Sequence, residues 1–95
     1  MYSDKQRGIK MAKSKQVFYF EITDTFAGEA NYCWVKRLAV KAKSLHGALC
    51  ILSRHTGYNW KKDYGGKWNA RNNCVTCYEL DSDSAGYYNW QWVNC

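Results

Sequence analysis

The stretch that decides the fold is YNWKKDYGGKWNAR, which runs from Tyr58 to Arg71. At its centre, Gly65-Gly66 can adopt the positive φ values that a two-residue hairpin turn requires. With these two residues as the turn, Tyr64 faces Lys67 across the hairpin. Side chains alternate along a strand, so every second residue lies on the same face. One face is therefore expected to carry the following side chains: Trp60, Lys62, Tyr64, Lys67, Asn69 and Arg71.

The same register predicts the remaining partners across the hairpin. They are Asp63 with Trp68, Lys62 with Asn69, and Trp60 with Arg71. Lys61 and Trp68 are then expected on the opposite face. The first face combines aromatic rings with several cations and has no carboxylate. It could be a binding surface, but Trp60 and Tyr64 could also belong to the core, with a Trp60–Arg71 cation–π pair.

The composition indicates more aromatic surface than a small core needs. Aromatic residues make up 17% of the chain, with five Trp and eight Tyr. Some of these rings are expected at the surface, where an amphipathic ring suits a binding site. The alternative is that they fill a half-exposed sheet, which favours aromatic residues in any case.

The charges are segregated along the chain. The net charges of residues 1–15, 16–35, 36–71 and 72–95 are +4, −3, +8 and −3, which sum to +6. A central basic block is typical of proteins that bind phosphates or an acidic protein surface. It could also be a solvated face that keeps the protein soluble.

The 95 residues are enough for one domain. Residues 1–15 lack the apolar spacing of a packed element, so we expect a flexible basic tail there. The single domain is expected over residues 16–95. The chain has no apolar run as long as the roughly 20 residues that a membrane span requires, and we expect it in the cytoplasm.

Two strands are predicted first. Residues 16–24 alternate with Phe18, Phe20 and Ile22 on the inward face, and residues 25–31 are expected to form a loop. Residues 32–42 form the second strand, and one face is predicted to carry Tyr32, Trp34, Leu38, Val40 and Ala42. Lys36 interrupts that face, which requires either a bulge or a lysine stem that extends outward.

A helix is predicted over residues 44–56, with Ser44 as N-cap and Gly57 after its end. Further strands are expected at residues 74–80 and 87–94, separated by a polar turn. The fold class is therefore α+β: an antiparallel sheet of about five to six strands in the order ββαββββ, with one helix on one face. The predicted core consists of Phe18, Phe20, Ile22, Trp34, Leu38, Val40, Leu45, Leu49 and Leu52.

The five cysteines do not indicate a disulfide framework, because their number is odd. Cys74 and Cys77 have C-x₂-C spacing, but in a regular strand these positions point to opposite faces. Cys50 and His46 lie four residues apart on the helix, with no acidic residue near them to orient the imidazole. We therefore expect reduced thiols, no metal, no cofactor and no enzymatic activity.

The basic, aromatic surface favours nucleic acid as the ligand. Cations along a strand's phosphates and rings under its bases are how single-stranded nucleic acid is held. The candidate binding residues are Trp60, Lys62, Tyr64, Lys67, Arg71, Lys36 and Arg37. The alternative is a protein-binding inhibitor, because Trp, Tyr and Arg dominate protein interfaces. In type, a small basic domain of this kind resembles phage and mobile-element accessory proteins such as anti-CRISPR proteins, which would act in the host cytoplasm.

Overall fold

The alternating pattern of the first predicted strand continues further than the sequence indicates. The computed structural model describes residues 15–27, 29–71 and 73–93. Its elements are β1 (Gln16–Phe26), β2 (Glu29–Ala42), α1 (Leu45–Thr56), β3 (Trp60–Tyr64), β4 (Lys67–Ala70), β5 (Val75–Leu80), α2 (Ser82–Ala85) and β6 (Gln91–Trp92). The predicted N-terminal tail lies outside the described residues, apart from Lys15.

The strands form one sheet of six strands in the order β3-β4-β5-β1-β2-β6. All neighbours pair antiparallel except β2 and β6, which pair parallel through Leu38 with Gln91 and Ala39 with Trp92. A small domain with a mostly antiparallel sheet and one main helix is thus confirmed. Within the described part of the chain, no helix is long and apolar enough to cross a membrane.

Helix α1 begins and ends where its capping residues predict. The Ser44 hydroxyl accepts a hydrogen bond from the Gly47 amide at 3.1 Å. Gly57 adopts a left-handed φ of 79°, and its amide donates to the Ser53 carbonyl. A residue with a Cβ would be strained in that conformation, so glycine ends the helix here. The chain then leaves α1 toward β3.

We call the side of the sheet that α1 covers the helix face. Its core contains Phe20, Ile22, Leu38, Val40, Trp68 and Cys77 from the sheet, with Ala48 and Leu52 from α1. Leu52 is fully buried, whereas Leu45 and Leu49 are half-buried and pack against this core. The inward face predicted for β1 is therefore confirmed.

Two connections differ from their predictions. The predicted loop over residues 25–31 is instead a tight connection, because β1 runs to Phe26 and β2 starts at Glu29. The predicted polar turn after β5 contains α2, a single helical turn capped by the Asp81 carboxylate, which accepts from the Ser84 amide at 2.8 Å.

The last predicted strand, residues 87–94, is also largely wrong. Only Gln91 and Trp92 pair with the sheet, and they do so parallel to β2. The Tyr88 and Trp90 rings before them pack on the sheet surface instead of extending its edge. Trp90 lies 5.0 Å from Tyr19 between ring centroids, and its indole nitrogen donates to the Ala85 carbonyl at 2.8 Å. The C-terminal segment thus covers part of the sheet side that faces away from α1.

Candidate functional site

The central hairpin turns where the sequence predicts, but its register changes after one pair. Tyr64 faces Lys67 as expected. A β-bulge at Asp63 then shifts the strands, so the pairs are Lys62 with Trp68, Lys61 with Asn69, and Trp60 with Ala70. The predicted pairs of Asp63 with Trp68, Lys62 with Asn69 and Trp60 with Arg71 are wrong.

The bulge has a clear physical cause. In an uninterrupted register, Trp60 and Trp68 would lie on opposite faces. With the bulge, both point to the helix face, where Trp68 is 3% exposed and Trp60 packs against the core. Burying one Trp ring removes about 150–250 Å² from water and stabilises the fold by roughly 4–6 kcal/mol. A lost ladder hydrogen bond costs only about 0.5–1.5 kcal/mol, so burial of the ring decides the register.

The bulge divides the surface that was predicted to be continuous. Trp60 and Lys62 lie on the helix face, whereas Tyr64 and Lys67 lie on the opposite face. The predicted absence of a carboxylate is also wrong, because the Lys67 ammonium lies 3.4 Å from the Asp63 carboxylate. Trp60 contributes no indole donor to the surface, since its buried Nε1 lies in the core without a partner among the described groups.

Lys36 and Arg37 are adjacent in β2 and therefore point to opposite faces. Lys36 pairs with Ile22 on the helix face, and its side chain is exposed. Lys36, which was predicted to interrupt the inward face of β2, is thus an exposed lysine at the rim of the helix face. Arg37 pairs with Glu21 on the other face, and its Nε donates to the Glu21 carboxylate at 3.1 Å.

A row of cross-strand neighbours runs over the face opposite α1, which we call the tyrosine face. Successive strands from β3 to β2 contribute one residue each: Tyr64, Lys67, Tyr78, Glu21 and Arg37. We call these five residues the tyrosine row. Neighbours across an antiparallel ladder lie close enough for their side chains to touch. The row therefore places rings and charged groups in alternation across most of the sheet.

Two further tyrosines lie beside this row. The Arg37 guanidinium lies 4.1 Å from the centroid of the Tyr88 ring. Burial, together with the nearby Tyr78 and Glu21 side chains, raises the pKa of the Tyr32 hydroxyl above 10.0. Tyr64, Tyr32 and Tyr88 remain 58%, 52% and 43% exposed, so their rings are accessible to a ligand.

Lys67 is the most constrained cation of the tyrosine row. Its side chain is only 13% exposed and lies between Tyr64 and Tyr78, 5.1 and 5.9 Å from their ring centroids. Burial alone would lower the pKa of Lys67, but the hydrogen bond to Asp63 and the neighbouring tyrosines raise it above 10.5. The ammonium is therefore charged throughout the physiological range.

Tyr32 reaches the tyrosine face because β2 bulges strongly. Thr23 pairs with Val35 and Thr25 with Ala30, so Asp24 alone lies opposite residues 31–34. We call residues 31–34 the β2 bulge. Within it Tyr32 has a φ of 58°, a conformation that is strained for a bulky residue. The predicted common face for Tyr32 and Trp34 is wrong, because Trp34 points toward α1.

The Asp24 carboxylate holds the β2 bulge in place. It accepts hydrogen bonds from the Asn31 side chain at 2.8 Å and from the Cys33 and Trp34 amides at 2.9 and 3.4 Å. Burial alone would raise the pKa of Asp24, but hydrogen bonds from Asn31, Thr23 and Trp34 lower it below 3.8. One ionised side chain thus replaces the ladder bonds that the bulge interrupts.

Lys61 and Arg71 complete the basic side of this region. Lys61 pairs with Asn69, which places it on the tyrosine face, and its side chain is exposed. The sequence had predicted the opposite face for Lys61. Arg71 follows β4 directly, is exposed, and its amide donates to the Asn59 carbonyl at 2.8 Å.

The structure separates the residues that could have held a metal. Cys77 is buried on the helix face and Cys74 is exposed before β5. Burial, with a smaller contribution from Glu79, raises the pKa of the Cys77 thiol well above 9.0. Among the described residues, no three His, Cys, Asp or Glu side chains converge. Cys50 and His46 do approach, with 3.7 Å between Sγ and Nε2, but both are exposed on α1.

The residue pattern alone did not indicate four of the site residues, which are Tyr78, Glu21, Tyr32 and Tyr88. The alternation of β1 placed Glu21 on the outward face, and its pairing with β2 was the available signal for an Arg37 partner. Tyr32 and Tyr88 depend on the β2 bulge and on the C-terminal segment, which have no short-range sequence signal.

Comparisons with family models, with curated proteins and with solved structures found no match to this chain.

Proposed function

We propose that this protein binds single-stranded nucleic acid on its tyrosine face. The observation that carries the proposal is the tyrosine row, in which side chains from five neighbouring strands form one line. Exposed rings on an antiparallel sheet are a common platform for unpaired bases. The protein would be a non-enzymatic binding protein that acts in the cytoplasm.

The rings are spaced widely enough to receive separate bases. Neighbouring strands lie about 4.8 Å apart, so Tyr64 on β3 and Tyr78 on β5 are separated by roughly 10 Å. Lys67 lies between them on β4. Tyr32 extends the set of rings beyond Tyr78, whose side chain lies near its hydroxyl.

The cations available to phosphates lie in the first strand of the hairpin and directly after its second strand. Arg37 and Lys67 already have carboxylate partners. Lys61 and Arg71 are exposed, and no ion pair involves either of them within the described ranges. We therefore assign phosphate contacts chiefly to Lys61 and Arg71, and a positioning role to Arg37 and Lys67. Of the other sequence candidates, Trp60, Lys62 and Lys36 lie on the helix face and are not part of this surface.

The test is the binding of a fluorescent oligothymidylate of about ten nucleotides, a length within the usual site size of such surfaces. Tyr78→Ala is expected to weaken binding by about 1–3 kcal/mol, the usual contribution of one stacked base. Binding by the unmodified protein should fall steeply between about 50 and about 200 mM salt. Absence of binding at the lower salt concentration would refute the proposal.

The two adjacent lysines of β3 provide a matched control. Lys61→Ala should weaken binding and reduce the salt dependence by about 0.7 for one lost phosphate contact. Lys62→Ala removes the same charge from the helix face and should have little effect. Equal losses from both substitutions would indicate a diffuse electrostatic attraction instead of an ordered surface.

A protein partner is the second candidate, and one observation favours it. The Lys67–Asp63 and Arg37–Glu21 pairs neutralise the tyrosine row internally. Rows of Tyr and Arg with paired charges fit protein interfaces, in which such residues dominate the binding energy. An inhibitor of a host protein or nucleoprotein complex, as in anti-CRISPR proteins, would use the same face. It would bind no isolated oligonucleotide at either salt concentration.

A further inference from the structure

A cavity of about 380 Å³ opens on the helix face, between β2 and the C-terminal end of α1. Its volume falls within the usual range of small-molecule pockets, about 300–1,000 Å³. The tyrosine row contributes only Arg37 to its lining. The Arg37 guanidinium is held by Glu21 and the Tyr88 ring on the other face, so it does not offer its charge to a ligand in the cavity.

The cavity offers an accessible aromatic ring within a lining that is more polar than apolar. Ile22 and Leu38 line it and are 1% and 2% exposed. Trp34 lines it from the β2 bulge and remains 39% exposed. Tyr58 lines it after α1, where its ring is braced against Trp60 at 5.4 Å between centroids. A flat aromatic ligand can therefore find a ring to stack on, since Trp34 is the accessible one.

The polar groups of the lining are selective for an anion. Lys36, His55 and Gln91 line the cavity, and all three are exposed. The Thr56 hydroxyl is already used, because it donates to the Leu52 carbonyl at 2.8 Å and accepts from the Tyr58 amide at 3.3 Å. No carboxylate is among the described lining residues. The available groups thus include the Lys36 ammonium, the His55 imidazole and the Gln91 amide, together with the Tyr58 hydroxyl and the Trp34 indole N–H.

From this lining we infer a second binding site, specific for a flat aromatic group that carries an anionic substituent. A nucleoside monophosphate has this chemistry, with a base for Trp34 and a phosphate for Lys36. The ring would stack on Trp34. The anion would accept charge-assisted hydrogen bonds from Lys36, which are about twice as strong as neutral ones. The site does not depend on whether nucleic acid binds the tyrosine face.

The test uses adenosine monophosphate as the probe, titrated into the full-length protein and followed by calorimetry and by amide chemical shifts. The shifts of Trp34, His55 and Gln91 should move together. Adenosine and inorganic phosphate should each bind at least about tenfold more weakly, because each lacks one half of the recognised chemistry. If either binds as tightly as the monophosphate, the inference is wrong.

The chain offers a matched pair of lysines for this site. Lys36 and Lys62 are both exposed on the helix face at opposite edges of the antiparallel strands, and only Lys36 lines the cavity. Lys36→Ala should weaken monophosphate binding by about tenfold or more, and Lys62→Ala should leave it unchanged. Equal losses would show that only the general basic charge attracts the anion, which would overturn the inference.

Two further measurements complete the test. The first asks whether the anion can be a carboxylate, and the second separates this site from the tyrosine face. Indole-3-acetate carries a carboxylate on a flat ring. If it competes with adenosine monophosphate at similar affinity, the site recognises a flat anion whose charge comes from a carboxylate. Tyr78→Ala should reduce oligothymidylate binding and leave monophosphate binding intact. Loss of monophosphate binding in Tyr78→Ala would place the probe on the tyrosine face and refute a separate site.

Discussion

The two faces of this sheet carry neighbouring rows of cross-strand residues that differ in burial and in charge. On the helix face, the row from β2 to β3 is Lys36, Ile22, Cys77, Trp68 and Lys62. Its three central members are at most 3% exposed, and its two lysines lie at the rims. On the other face, the three central members of the tyrosine row are charged or aromatic: Lys67, Tyr78 and Glu21.

The difference between the faces shows where stability and recognition reside. The helix face gains from burying apolar surface, which is non-directional and proportional to area. The tyrosine face also buries side chains, such as Thr23 and Thr76, but it satisfies its charges in pairs, such as Arg37 with Glu21. A surface built from satisfied pairs and exposed rings is specific in geometry and open to a ligand.

The largest expected effect is on the helix face. Leu52→Ala should lower the free energy of unfolding by about 2–5 kcal/mol, because Leu52 is fully buried under α1. Leu49→Ala should cost less, since Leu49 is half-buried. Chemical denaturation of both variants measures the difference. A larger loss for Leu49→Ala would mean that α1 packs on the sheet with a different stripe.

The next effect tests the ion pair at the centre of the tyrosine face. Arg37→Ala should cost about 1–3 kcal/mol of stability, because it leaves the buried Glu21 carboxylate without its partner. Arg37→Lys keeps the charge but changes the geometry of the donor, and should recover part of the loss. Denaturation of the two variants side by side provides the measurement. Full stability in Arg37→Ala would show that the two faces are not distinguished by such pairs.

A smaller and local effect is expected in acid. The pKa of Asp24 is lowered in the folded state, so its contribution is present above the ordinary value of 3.8 and is lost as the pH falls through the folded value. The Cys33 and Trp34 amides, which donate to this carboxylate, should shift with a midpoint below pH 3.8. Amide NMR spectra follow this titration, and Asp24→Asn should abolish it. A midpoint above 3.8 would contradict the assigned hydrogen bonds.

The smallest expected effect is again on the tyrosine face. Tyr64 is 58% exposed, so Tyr64→Ala should change stability by no more than about 0.5 kcal/mol. The same substitution should weaken oligonucleotide binding if a base stacks there. A thermal melt checks the first expectation and fluorescence anisotropy the second. A marked loss of stability would mean that this ring belongs to the core of the hairpin.

Local sequence signals predicted the elements whose cause is local. The β1 alternation, the Ser44 and Gly57 caps of α1 and the turn at Gly65-Gly66 each depend on residues close in sequence. The bulge at Asp63 does not, because it arises from the burial of Trp68 against residues distant in sequence, such as Phe20 of β1. The sequence therefore identified the hairpin as important but assigned Trp60, Lys61 and Lys62 to the wrong face.

The sequence predicted which types of residue form the candidate site better than it predicted where those residues lie. Tyr64, Lys67 and Arg37 do lie on one face, but Arg37 joins it through the β1–β2 register and not through the hairpin. Its partner Glu21 and the neighbour Tyr88 come from the strand before it and from the C-terminal segment. Contacts between segments distant in sequence have no short-range pattern, so a single sequence could not reveal them.

The β2 bulge has a consequence for how the sequence can change. Four residues opposite Asp24 occupy a place where a regular ladder needs one, so deleting three of them would restore an unbroken hairpin. Such a shortened chain is expected to gain ladder hydrogen bonds and to relieve the positive φ of Tyr32. It would also remove Tyr32 from one face or Trp34 from the other. Selection for thermal robustness alone would therefore favour loss of these residues, and their retention would mark selection for binding.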